Sequence, residues 1–363
     1  MQTLVIDIRP LLPKRLPGGV PEYTRQLLLA MFPLLAEKQG IRVVLFSSGS
    51  QTPNLEMFGA WQNMFSHYHL RLPNKALNIS FKLLGWPCID TLIKNAYRLP
   101  ANEPITVFAP NINLLPVSRQ AKLVVTFHDL SFERYPFFLK RKDALWHTMV
   151  NPRRFARRAS RIIAVSESTR QDLVSIYQTK PERIAVIYSG IDKEFKPKMH
   201  APGQTRYAIL YLGSSEGRKN VDALIKAYAQ LKQRLSDAKL LLVGPPHRSI
   251  SGDERLTLYQ SASLFVYPSF FEGFGLPPVE AMACGIPVIT SYSSSLPEAV
   301  GQAALTTNPH RAPELAHAMH SLLTDQTLRN HYIEQGLMQA NKFTWENAAE
   351  KTIDILLKTK NFS

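Results

Sequence analysis

The stretch Tyr267-Pro-Ser-Phe-Phe-Glu272-Gly-Phe-Gly275-Leu-Pro-Pro-Val-Glu280-Ala-Met-Ala-Cys-Gly285-Ile-Pro-Val-Ile-Thr290 decides the fold. The apolar run Leu264–Tyr267 reads as a buried strand that stops at Pro268. A helix begins near Pro277 and Pro278, where proline's fixed φ and missing N–H cost nothing. Gly285 ends that helix as a C′ glycine, and Val288–Thr290 is a second apolar strand. Strand, loop, helix and strand in succession is the pattern of a parallel sheet covered by helices. Glu280 then falls in the first helical turn, beside the positive end of the dipole. Glu272 lies in the loop and faces the same cleft. A carboxylate accepts hydrogen bonds from vicinal hydroxyls, and glycine amides between the two acids let a ligand approach closely. The pair therefore suits a nucleotide sugar. A helix cap at Glu280 and a surface residue at Glu272 would give the same spacing.

The same alternation extends in both directions. Leu4–Ile8, Arg42–Phe46, Ile105–Phe108, Leu123–Phe127, Ile162–Val165 and Ile184–Ile187 read as strands of a first sheet, and Ala208–Leu212 and Lys239–Val243 join the second. Helical patterns cover Pro21–Phe32, Leu139–Ala159, Ser168–Tyr177, Asn220–Leu235, Glu254–Ser261 and Pro278–Cys284. Three more close the chain, at Pro313–Leu323, Gln326–Lys342 and Trp345–Leu357. The segment 193–205, with two prolines and little apolar content, is the best linker. The division expected is 1–195 for a first Rossmann-like domain and 196–340 for a second. Residues 341–363 form a C-terminal helix that crosses back to the first. Two doubly wound sheets hold a ligand at the carboxyl ends of their strands, in the cleft between domains.

Composition sets the outer limits. The chain has 363 residues, 45% hydrophobic and 20% charged, which excludes disordered and fibrous classes. Its net charge of +15 is lopsided: residues 1–200 hold 28 Lys/Arg against 14 Asp/Glu, and the remainder 15 against 14. Only the first half is thus suited to an anionic partner, whether membrane surface, phosphorylated acceptor or nucleic acid. Nucleic acid is set aside, because neither aromatic platforms nor a recognition helix accompany the basic residues. Cys88 and Cys284 form no disulfide framework or metal-binding pattern. The chain opens on a strand rather than a leader, and its longest apolar stretch, Leu27–Ala36, is about half a membrane span. A soluble cytoplasmic protein is expected.

Glu272-Gly-Phe-Gly-Leu-Pro-Pro-Val-Glu280 resembles the E-x7-E signature of family 4 retaining glycosyltransferases of the GT-B fold. Tyr211-Leu-Gly-Ser-Ser-Glu-Gly-Arg218-Lys219-Asn220 resembles that family's strand–loop–helix with a phosphate-binding basic pair. Val125-Thr-Phe-His128-Asp129, Ala164-Val-Ser-Glu-Ser-Thr-Arg170, Val186-Ile-Tyr-Ser-Gly-Ile-Asp192 and Phe343-Thr-Trp345-Glu supply further blocks in the family's order. The resemblance implies that Glu280 bonds the ribose hydroxyls and Glu272 faces the donor sugar. Amides of Gly273, Phe274 and Gly275 would line the sugar pocket, and Arg218 and Lys219 would neutralise the diphosphate. Gly18-Gly19 would offer backbone amides to the same diphosphate, and His128 would touch the sugar near the reacting carbon. From the residues alone, the Arg-Lys pair also reads as a solvated pair before a helix, and His128 as a satisfied histidine.

The eleven aspartates include no D-x-D pair, and no HExxH, GxxxxGK or cysteine cluster occurs. Metal-independent transfer without a cofactor is expected. Retention of configuration is implied only by the resemblance, as is attack from the leaving-group face with the departing phosphate oxygen accepting the proton. The blocks look most like mannosyltransferases of bacterial surface polysaccharide assembly, which makes GDP-mannose the favoured donor. On the acceptor side, segment 73–87 mixes aromatics, leucines and lysines, and Arg153, Arg157 and Arg161 recur at helical spacing. They suit anionic lipid headgroups or a glycan or lipid-diphosphate acceptor, and equally a packed helix pair and a solvated face. One departure stands out. Only Pro245–Gly252 follows Val243-Gly244, where the family continues with a helix, a strand and a loop, so about one α–β unit of roughly 25–35 residues is missing beside the nucleotide base. An inactive or nucleotide-binding-only homologue is the alternative reading.

Overall fold

Seven strands of the first half pair in parallel: β1 (Gln2–Asp7), β2 (Ile41–Ser48), β3 (Ser66–Leu70), β4 (Ile105–Ala109), β5 (Lys122–Phe127), β6 (Arg161–Ala164) and β7 (Ile184–Val186). Their order is β3-β2-β1-β4-β5-β6-β7. β1 sits inside the sheet because Leu4, Val5 and Ile6 are apolar on both faces and fully buried. These coordinates come from a computed structural model, which describes residues 1–12, 19–72, 80–82, 85–139, 141–198, 207–247 and 252–358. The helices of this half are α1 (Gly19–Ala36), α2 (Ile89–Ala96), α3 (Arg141–Val150), α4 (Pro152–Arg158) and α5 (Glu167–Tyr177).

The second sheet has five parallel strands: β8 (Ala208–Leu212), β9 (Lys239–Val243), β10 (Leu264–Tyr267), β11 (Val288–Ser291) and β12 (Leu305–Thr307), in the order β12-β11-β10-β8-β9. Around it lie α6 (Val221–Lys232), α7 (Gly252–Ser261), α8 (Leu276–Ala283), α9 (Leu296–Val300), α10 (Ala312–Thr324) and α11 (Gln326–Ala340). The last helix, α12 (Trp345–Leu357), packs along α1 of the first half. Its buried residues Trp345, Ala348, Ala349, Thr352, Ile353 and Leu356 recur at three- and four-residue spacing, the stripe by which a helix docks.

Both sheets change winding direction beside a central strand, between β1 and β4 and between β8 and β10. Such switch points place ligands at the carboxyl ends of the strands. At the far edge of the second sheet lies β9. Among the described residues β9 pairs only with β8. Leu240 and Leu242 are half-buried, and Leu241 is 40% exposed.

Several expectations change. Leu139–Ala159 is two helices, because Asn151 adopts a left-handed φ of 51° between them. α4 ends at Arg158, so Arg161 lies on β6 and the three arginines share no helical face. Arg153 donates to the Ile176 carbonyl at 2.6 Å, and nearby Arg158 donates to the Ala121 carbonyl at 3.0 Å. Arg153 thus ties α4 to the end of α5, and Arg158 ties it to the start of β5, instead of joining a row of free cations. Most of segment 73–87 lies outside the described residues. Of the rest, Phe81 is core, packed with Leu114 and Val150, while Trp86 is 66% exposed. Residues 199–205 of the linker also lie outside them.

Candidate active site

β10 ends at Tyr267 and the chain turns through 268–275 into α8. Gly275 caps that helix at φ 101°, a left-handed conformation that suits glycine. This lets α8 start at Leu276, ahead of both prolines. Glu280 is therefore the fifth helical residue, past the first turn where the sequence placed it, and no acid occupies the first turn.

The loop meets the basic pair. Lys219 Nζ lies 2.7 and 2.8 Å from the two oxygens of Glu272 and 2.7 Å from the Tyr267 hydroxyl. Arg218 Nη1 reaches Glu272 Oε2 at 3.3 Å and the Phe271 carbonyl at 3.2 Å, while its Nε holds Glu216 at 3.0 Å. Asn220, left-handed at φ 57°, donates its side-chain amide to the carbonyls of Pro268 (3.1 Å) and Pro309 (2.7 Å). Burial alone would push the Glu272 carboxyl up, but Lys219 and Arg218 outweigh it and hold the group below the usual carboxylate range. Burial likewise opposes the Arg218 charge, and Glu272 outweighs it, so the guanidinium is held above its ordinary value. The two cations expected to meet a diphosphate are thus already paired with the acid expected to meet the sugar.

His128 follows β5 on the opposite wall. Its Nε2 lies 2.9 Å from the Pro110 carbonyl. A carbonyl only accepts, so Nε2 carries the proton and Nδ1 keeps its lone pair. Burial depresses the imidazole pKa, outweighing the Pro110 hydrogen bond and Asp129, and keeps the ring neutral. Tyr23 of α1 meets the ring edge-on at 4.6 Å. Gly273 packs directly beneath: a Cβ there would lie 2.0 Å from the His128 carbonyl oxygen. Thr169 Oγ1 bridges the two walls, 3.3 Å from the His128 carbonyl and 3.4 Å from that of Gly273. The Phe274 side chain is buried and stacked on Tyr188 at 5.5 Å. Gly19 is the first residue of α1, and a Cβ there would touch nothing within 4 Å. Gly18 lies outside the described residues. The structure thus brings together Arg218, Lys219, Glu272, Gly273 and His128, while Gly19 makes no close packing contact.

Glu280 is buried and both its oxygens are taken. Arg255 of α7 pairs with Oε1, and the Tyr259 hydroxyl donates to Oε2 at 2.9 Å. Sequence reasoning missed this pair, whose one legible signal is their four-residue spacing on a helix, which sets side chains on one face. It also missed the frame of the Glu272 loop. Ser294 Oγ accepts from the Glu272 N–H at 2.8 Å, and Ser295 Oγ lies 2.9 and 3.0 Å from the carbonyls of Glu272 and Phe274. Glu298 accepts from the amides of Glu167 (2.7 Å) and Ser168 (2.8 Å) at the start of α5. The run Ser293-Ser-Ser295 between a strand and Leu296-Pro-Glu298 is a helix-start signal that pointed here. Among the described residues no three His, Cys, Asp or Glu side chains gather at metal-binding distance, and no helix is long and apolar enough to cross a membrane.

Two parallel-sheet lobes, each with its winding switch at the carboxyl ends of the strands, define the GT-B class. Residues 17–195 match the family model described as Glycosyltransferase Family 4, and residues 206–325 the model described as Glycosyl transferases group 1. The chain is 32% identical over 295 residues to the O-antigen chain mannosyltransferase B of Escherichia coli, covering 72% of this chain and 76% of that protein. It therefore belongs to glycosyltransferase family 4 and is a glycosyltransferase. The serotype-specific mannosyltransferase WbdA of Escherichia coli is 32% identical over 239 residues, but this match spans 54% of the chain and 28% of WbdA. Among solved structures, WaaG, a glycosyltransferase involved in lipopolysaccharide biosynthesis, superposes with a TM-score of 0.66 at 19% identity, covering 98% of this chain and all of that one. Anabaena Alr3699/HepE in complex with UDP and glucose gives 0.65 at 18% identity, covering 99% and 100%.

Proposed function

We propose that this enzyme transfers mannose, with retention of configuration and without a metal ion, from GDP-mannose to a glycan or lipid-diphosphate acceptor of a bacterial surface polysaccharide. The observation that carries the reading is the Arg218–Lys219–Glu272 cluster set against His128 across the cleft. Mannose is favoured by the names of the relatives. In this reading residues 1–195 form the acceptor-side domain and 196–340 the donor-side domain, with 341–363 returning to the first.

The chemistry follows from where charge develops. As the glycosidic bond breaks, negative charge grows on the leaving diphosphate, and Arg218 and Lys219 stabilise it. Each charge-assisted bond contributes about 1.5–3 kcal/mol, more strongly in a site closed to water. Glu272 holds both cations in place beforehand and faces the sugar through its loop. Amides of Gly273, Phe274 and Gly275 line the sugar pocket, Gly19 offers its amide to the diphosphate, and Glu280 bonds the ribose. His128, neutral and oriented by Pro110, contacts the sugar near the reacting carbon. The acceptor hydroxyl loses its proton to the departing phosphate oxygen, which needs no enzymatic nucleophile.

Contact with an anionic membrane surface belongs to the same reading. α3 buries only Val150, exposes Leu145 and begins with Arg141 and Lys142, and Phe137 just before it is 73% exposed. A second reading, an inactive nucleotide-binding homologue, is favoured by the bare edge of β9. Calorimetry with GDP, UDP, ADP and CMP, followed by transfer from GDP-mannose with and without EDTA, separates the two. Selective GDP binding and EDTA-resistant transfer are expected. Nucleotide binding without transfer to any lipid-linked or glycan acceptor of a producing cell would favour the second.

A further inference from the structure

Glu280 is the carboxylate assigned to the ribose, yet it is covered from within the protein. Its two oxygens are held by different side chains of one helix, Arg255 and Tyr259, one turn apart on α7. Tyr259 is fully buried and meets Phe195 edge-on at 5.7 Å, so its hydroxyl is a fixed partner. Arg255 is different in kind. Its side chain retains 26% exposure, its guanidinium lies 5.3 Å from the Phe195 ring centroid, and its Nε has no hydrogen-bond partner. It is close enough to Glu22 of α1 to act on that carboxyl across the cleft. A partly exposed cation therefore holds one oxygen of the carboxylate while a fully buried hydroxyl holds the other.

We propose that Arg255 sets nucleotide affinity by competing with the ribose hydroxyls for Glu280, and that a nucleoside diphosphate binds by displacing its guanidinium. This rests on the reading that Glu280 bonds the ribose. The ribose hydroxyls and the guanidinium are rival donors for Oε1 of Glu280, while the Tyr259 hydroxyl stays on Oε2. A guanidinium paired with a buried carboxylate is hard to remove, because each ion loses its partner. Partial exposure supplies the route, since the displaced group turns to solvent without crossing the core. The exchange also selects chemically: a ligand without both ribose hydroxyls lacks what is needed to replace a guanidinium.

The test is titration calorimetry of GDP, UDP and 2′-deoxy-GDP on the whole chain and on Arg255→Ala, Arg255→Gln, Glu280→Ala and Arg255→Ala with Glu280→Ala, each first shown to melt cooperatively. Arg255→Ala is expected to bind GDP at least fivefold more tightly, Arg255→Gln by a smaller factor, and 2′-deoxy-GDP to gain less than GDP. If Arg255→Ala does not fold, Arg255→Gln alone decides by the direction of its change. GDP affinity that is unchanged or weaker in the Arg255 variants, with Glu280→Ala still weakening binding, overturns the competition and leaves the ribose reading standing. If Glu280→Ala binds like the parent chain and 2′-deoxy-GDP binds like GDP, the ribose reading falls and the competition with it.

Discussion

Lys219 shows how one side chain serves stability and chemistry together. It is buried against Glu272 and the Tyr267 hydroxyl, so truncating it leaves the buried carboxylate with the longer Arg218 contact alone. Breaking a buried pair from one side costs about 3–5 kcal/mol. Lys219→Ala should lose stability on that scale in urea denaturation, and Lys219→Met with Glu272→Gln should recover most of it. Transfer should stay far below that of the parent chain in both, because only Arg218 is left to meet the leaving diphosphate. Recovered transfer in the double variant would remove Lys219 from the mechanism. His128 makes a second case, readable through pH. Its folded-state pKa lies below the ordinary 6.5, so the unfolded chain binds the extra proton first as pH falls. Stability is then lost as pH drops through 6.5 toward the folded value. Glu272 acts in a lower window, since its depressed carboxyl contributes stability above 4.5 that is lost as pH falls through its folded pKa. Between pH 7.5 and 5.5 the denaturation midpoint of the parent chain should therefore fall more than that of His128→Gln. Equal slopes would show that the buried imidazole titrates normally.

At the scale of elements, legibility tracked burial. β1, β4, β5, β8, β10 and β11 are apolar runs and were readable as strands. β3 was not, because Ser66-His-Tyr-His-Leu70 is an edge strand, half-buried, whose two histidines bond Ser47. β12 was missed for a similar reason, being three residues of which one is buried. The motif blocks named residues that the fold gathers in one place, Arg218, Lys219, Glu272, Gly273 and His128. What pairs with what stayed hidden, because Arg255 on Glu280 and Glu298 on α5 depend on how elements dock. The Gly273 junction is an element-scale constraint with a sharp consequence. Gly273→Ala sets a methyl against a backbone carbonyl that no rotamer can move aside. The loop must shift away from His128, and a displacement of about 1 Å can cost some 10²-fold in rate. Transfer should fall by that factor while the melting temperature changes little. The β9 edge predicts the reverse pattern. Exposed Leu241 contributes little burial, so Leu241→Lys should alter stability by no more than about 0.5 kcal/mol. A charge on an open edge opposes strand pairing between molecules, so light scattering should show less self-association.

For the whole molecule, the question is what holds the lobes in the arrangement that sets His128 on Gly273. Two crossings join them covalently, after β7 and before α12, and these run side by side where Ile191 pairs with Thr344. Gly190 allows that approach, since a Cβ there would lie 2.2 Å from the Trp345 nitrogen. Parallel crossings constrain the ends of the lobes but permit rotation about their own axis. One restraint beyond that axis is Glu298, carried by the second lobe and bonded to two backbone amides that open α5 in the first. A helix start offers unpaired N–H groups and a positive dipole end, so a carboxylate there is well matched. Two charge-assisted bonds of about 1.5–3 kcal/mol each are comparable with the free-energy differences that separate domain arrangements. Glu298→Ala should therefore shift the population toward open forms, seen as a larger radius of gyration in solution scattering. Glu298→Gln keeps one acceptor and should fall between. GDP affinity should change little, because the proposed nucleotide contacts in the second lobe do not include this residue, while transfer should drop with closure. A radius of gyration identical in all three chains would mean that the packing of Tyr188 on Phe274 and of α12 on α1 suffices to close the cleft.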